Sequence, residues 1–260
     1  MIRSWRFLAL LTATAAWLCA AAPARADKPH FTNFPGPKVP IKAKPGTKAW
    51  AAAPISMGWD SIKICQYDFV RADKDEGIFR FVSDSIYVPS PFIVAATPAS
   101  GLKKGDAVLV STYVTNAFGR VVGVSGAKAT VAFFFGGKVD KKDFALTEVL
   151  PMKGALTFGQ PVGYRVGGEW KFGQLVYSDP KSSWIIGFVG KPAQVPTADV
   201  RPIKPRLFKA GDKAWAVWVS GFKPATISAV IDGGLGYKIV YQGESKPQDK
   251  SWAEITEPLQ

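Results

Sequence analysis

One histidine, three methionines and two cysteines in 260 residues leave out much of the equipment of hydrolases and metal centres. The histidine, His30, stands in a proline-rich run with no acid–base partner, so neither a serine triad nor a Cys–His pair can be assembled. No Cys/His spacing resembles a zinc site. Cys19 falls in an apolar stretch near the start of the chain. If that stretch is removed, only Cys65 remains, no intrachain disulfide can form, and stability has to come from packing. Cys65 continues the alternation Ile62-Lys63-Ile64-Cys65 and reads as a small core residue. Carboxylates are densest at Asp73-Lys74-Asp75-Glu76-Gly77, which lacks the ligand spacing of a known calcium loop and reads as a solvated turn. Gly234-Leu235-Gly236 and Gly136-Gly137 are turn glycines, because no helix follows them to offer a phosphate-binding terminus. Runs of five or six like charges are missing, and no segment longer than ten residues beyond the first 26 carries a helical period. These absences argue against an enzyme and against a cofactor.

What is present begins with a processing signal. Arg3 and Arg6 precede an apolar stretch over residues 7–22, and Ala24-Arg25-Ala26 fits the small-x-small cleavage rule. The expectation is a signal peptide over 1–26, cleaved after Ala26, and a bacterial product that is secreted or periplasmic with no transmembrane segment left. Leu18 before Cys19 argues against lipidation. Removing the three arginines of 1–26 takes the formal charge from +13 to +10. That charge is dispersed, which favours anionic surfaces in general but is weaker than nucleic-acid binders usually show. Residues 27–45 hold five prolines and read as an extended, polyproline-like lead segment.

From there the chain repeats. Opening glycines at Gly46, Gly105, Gly159 and Gly211 are spaced near 50 residues apart, the length of one supersecondary unit. Three and five residues after each glycine stand Ala49/Ala51, Val108/Val110, Val162/Tyr164 and Ala214/Ala216. Residues two apart in a strand share a face, so these positions face a tight core. The residue between them, Trp50, Leu109, Gly163 or Trp215, faces the other way. Trp59, Phe118, Trp170 and Phe222 then lead into a second run, where Ile62/Ile64, Leu175/Tyr177 and Ala225/Ile227 alternate; Val121-Val122-Gly123-Val124 fits less cleanly. Turn residues, a third run and a proline- or acid-bearing tail close each unit.

The expected fold is therefore all-β, a tandem array of about four five-stranded barrels at 46–98 (the most divergent), 99–152, 153–204 and 205–260. Barrels this small bury little surface alone, so neighbours should pack on one another. The pattern Gly-Asp-x-[Ala/Val]-Trp-Ala in residues 211–216, with Val195-Pro196-Thr197-Ala198-Asp199-Val200-Arg201-Pro202 as closing turn, resembles the Tudor, agenet and SH3-like barrel group over most of 46–258. That resemblance implies barrels whose rim aromatics can hold a cation by cation–π contact. The candidates are Trp50, Tyr164, Trp170, Phe172, Trp184, Trp215, Trp218, Phe222, Tyr237 and Tyr241, most of which read instead as core or inter-barrel packing. A secreted protein has no histone to read. The function expected is non-enzymatic binding of a peptide, an envelope protein or a cell-wall polymer. The alternatives are electrostatic binding of a polyanion, such as nucleic acid or anionic lipid, and, more remotely, an enzyme with an unfamiliar site.

Overall fold

The computed structural model describes residues 36–54, 62–81, 84–112 and 116–260. The expected signal segment, His30 and Trp59 lie outside the described residues. Among the described residues twenty strands make the fold all-β, in antiparallel sheets of which none closes on itself. No helix among the described residues is long and apolar enough to cross a membrane.

Five strands follow each opening glycine. The first set is β1 (Lys48–Pro54), β2 (Ile62–Asp73), β3 (Glu76–Phe81), β4 (Asp84–Pro89) and β5 (Ile93–Ala95). The second is β6 (Ala107–Ser111), β7 (Asn116–Ser125), β8 (Lys128–Phe135), β9 (Lys138–Ala145) and β10 (Val149–Pro151). The third is β11 (Pro161–Val166), β12 (Glu169–Ser178), β13 (Ser182–Ile186), β14 (Pro192–Pro196) and β15 (Val200–Pro202). The fourth is β16 (Lys213–Trp218), β17 (Gly221–Ile231), β18 (Gly236–Tyr241), β19 (Gln248–Ser251) and β20 (Ile255–Thr256). Every set pairs in the order fourth, third, second, first, fifth. A three-residue 3-10 turn precedes each fifth strand, at Ser90–Phe92, Leu146–Glu148, Thr197–Asp199 and Trp252–Glu254. The first two sets form separate sheets. The third and fourth merge through Lys171 and Gly221, where Phe172 N–H donates to Ser220 O at 2.9 Å.

The opening glycines explain the recurrence at atomic level. Gly46, Gly105, Gly159 and Gly211 have φ of +78°, +93°, +82° and +93°, the left-handed region that only glycine enters cheaply. Each glycine N–H donates to the carbonyl of a second-strand residue: Phe69, Val121, Leu175 or Ile227. That residue's N–H donates back to the carbonyl of the residue after the glycine, and all eight bonds measure 2.8–3.0 Å. Just past this clamp every second strand bulges, with register shifts at Phe69/Arg71, Val121/Gly123, Leu175/Tyr177 and Ile227/Ala229. A bulge inserts one residue and reverses the facing of the residues beyond it. Hence Val121-Val122-Gly123-Val124 does not alternate. The expected pairing of Leu175 with Tyr177 on one face is also corrected: Leu175 enters the third set's own core, whereas Tyr177 packs against a different cluster.

That different cluster is central and draws on all four sets, with Trp50, Phe92, Leu109, Trp184, Tyr241 and Trp252 among its members. The second and third sets keep small private cores, around Val108 and Val110 and around Val162 and Tyr164. The residues three and five past each glycine are thus inward, as the alternation implies. The intervening residue is turned away, but toward a neighbouring set rather than toward water: Trp50 is 1% exposed and Leu109 fully buried. Polar contacts add to the junction. The Asn116 side-chain amide donates to Ile64 O at 2.7 Å and to Gln174 Oε1 at 3.3 Å, tying three sets together. Residues 36–45 carry no strand, as expected of an extended segment, yet they are docked. Ile41 and Ala43 pack on the central cluster, Val39 N–H donates to Ser90 Oγ at 3.1 Å, and Lys38 pairs with Asp75 at 2.5 Å.

Candidate binding surfaces

Three hairpin tips from three different sets surround a cleft of about 690 Å³. β8 ends in Phe135 before Gly136 and Gly137, β13 runs into Phe188 and Val189, and β16 runs into Val219. Phe135 is 57% exposed, Phe188 49%, Val189 51% and Val219 63%. Val189 and Val219 have φ of +52° and +55°. A β-branched residue enters the left-handed region only with strain, so two tips hold apolar side chains outward in a conformation that glycine would adopt more easily.

Below the rim the walls are Phe118, Phe172, Ile186 and Val217. The charged groups in the cleft mostly have partners of their own. Asp249 binds Lys238 at 3.0 Å. Glu254 accepts Ser251 N–H at 2.9 Å and lies 3.5 Å from Lys250. The surface left for a ligand is mainly aromatic and branched aliphatic, with backbone groups of the glycine turns between.

Of the ten aromatics singled out from the sequence, Phe172 lines this cleft and the other nine do not. Trp50, Tyr237 and Tyr241 are core residues, and Tyr164 and Trp184 are each only 7% exposed. The Tyr237 hydroxyl donates to Arg206 O at 3.0 Å and accepts Phe208 N–H at 3.3 Å. The Tyr241 hydroxyl donates to Val217 O, and burial above all raises its pKa. These rings hold elements together and offer no open cage. Trp170, Trp215 and Phe222 are half-buried, and Trp218 is exposed beside the cleft residues Val217 and Val219.

Where candidate rings do meet a cation, the cation is the chain's own. Trp218 and Tyr241 stand edge to face at 4.8 Å, with Lys223 Nζ 4.8 Å and 5.7 Å from their centroids. Glu244 holds that lysine at 2.9 Å. Trp170 lies between Arg165 and Arg201, at 4.7 Å and 5.9 Å. The sequence pointed to the large aromatics and missed the rim residues. The available signal was a bulky apolar residue next to a glycine turn, as in Phe135-Gly136-Gly137 and Phe188-Val189-Gly190.

Cys65 is buried, and burial pushes its thiol up to about 11, which keeps it protonated and unreactive. The 73–77 cluster is the tight β2–β3 turn, with Asp75 paired to Lys38 at 2.5 Å and Asp73 lying 3.9 Å from Arg71. Among the described residues no group of three His, Cys, Asp or Glu side chains could hold a metal. The chain matches no known family model, and a search of curated proteins finds no match to it.

Proposed function

We propose that this chain is a non-enzymatic binding protein of the bacterial envelope, exported by its N-terminal signal and built from four small SH3-like barrels. Its cleft takes an extended peptide segment bearing aromatic or branched aliphatic side chains. The observation that carries the reading is the ring of exposed apolar tips, two of them strained, around a cleft of about 690 Å³. Strain kept at a surface is a pointer to function, and ligand pockets commonly span roughly 300–1,000 Å³ with mainly apolar walls. The recurrent strand order and the 3-10 turn before each fifth strand support the barrel reading.

A peptide array probed with the folded protein tests it. Peptides with paired aromatic or aliphatic residues should bind, and Phe188→Asp with Val219→Asp should weaken them at least tenfold at unchanged melting temperature. The reading fails if no peptide binds, or if the double variant binds as well as the parent. Binding only to heparin or DNA, with affinity falling steeply in salt, would favour the polyanion alternative.

A further inference from the structure

The third set departs from the others at the fourth position after its opening glycine. Where β1, β6 and β16 carry Trp50, Leu109 and Trp215, β11 carries Gly163. A Cβ there would collide with Leu259 Cδ1, while its next neighbours, Phe222 and Trp170, stand at an ordinary 3.5 Å. Leu259 therefore fills the slot that a side chain fills elsewhere, with Trp170 and Phe222 beside it. The preceding residues run from β20 past Trp215: Pro258 lines a notch of about 470 Å³ with Trp215 and Tyr241. Glu257 pairs with Arg206. Arg201, Lys204 and Arg206 line an adjoining cavity of about 710 Å³.

Residues 257–260 hold this place lightly. They belong to no strand or helix, and three of the four are exposed. Among the described residues no backbone hydrogen bond fastens them, and the Arg206–Glu257 pair is solvent-exposed, which makes it a weak tether. Beneath them lies a surface with a glycine-floored apolar slot, two aromatic neighbours and three cations on one side. Such a surface suits an acidic residue followed by proline and a branched apolar residue.

We propose that the Gly163 slot is a recognition site for peptide segments of acidic–proline–branched apolar chemistry, and that residues 257–260 are its exchangeable resident. Its opening shares no lining residue with the cleft, although Phe222 beside it meets the cleft wall at Phe172, ring centroids 6.2 Å apart, and the proposal does not depend on the reading given for the cleft.

The test uses the full chain carrying Leu259→Ser, which empties the slot, and a fluorescent peptide of residues 256–260, followed by polarisation. The variant should bind the peptide saturably. The unsubstituted chain should bind at least tenfold more weakly, because its own segment competes at high effective concentration. Replacing the peptide's leucine with alanine, or adding Gly163→Ala to the variant, should each cost at least tenfold. A chain lacking residues 257–260 provides a second emptied form. Phe188→Asp should leave this binding unchanged, which separates failure here from failure at the cleft. Absence of binding to both emptied forms at parental circular dichroism, or indifference to Gly163→Ala or to the peptide's leucine, overturns the proposal.

Discussion

Trp50 and Trp215 stand at the same position of their sets and meet different surroundings. Trp50 is 1% exposed inside the central cluster; Trp215 is half-buried beside Pro224 and Pro258. Truncating a buried aromatic costs about 3–5 kcal/mol. Trp50→Ala should therefore lose about that much in a denaturant titration, while Trp215→Ala should lose about 1 kcal/mol, in line with the smaller area it covers. The period of two told which way each residue faces. It could not tell what lies on that side, because the covering groups come from other sets, far away along the chain. The same holds for Gly163, whose significance rests on Leu259, and for the ten aromatic candidates, of which five are interior and five are not.

At the scale of the element, glycines carry two distinct burdens. Gly211 needs its positive φ but has nothing within 4 Å of a Cβ, whereas Gly173 has room for no side chain because a Cβ would meet Ile186 O of the paired strand at 2.7 Å. Gly211→Ala should cost about 1 kcal/mol, the backbone penalty alone. Gly173→Ala should cost about 3 kcal/mol through overpacking against β13, and thermal melts of the two variants should rank them in that order. The opening glycines and the number of strands per set could be read from the sequence, since both depend on local turn chemistry. The bulges could not, except as a flaw in the alternation at Val121. They are a non-local adjustment of one strand to its partner, and they decide which residues of β2, β7, β12 and β17 reach the centre.

At the scale of the molecule, the shared cluster ties the four sets into one cooperative system. Calorimetry should give a single unfolding transition whose van't Hoff and calorimetric enthalpies agree. A chain ending at Lys204, without Tyr241 and Trp252, should lack that transition, because its remaining sets would expose the central cluster to water. Resolved separate transitions would contradict this. A linear solenoid touches only its neighbours and lengthens by adding copies. Here the residues that a copy would offer outward, such as Trp50 and Leu109, already converge on one interior. A fifth copy would find that interior full and would have to rest on a core of its own.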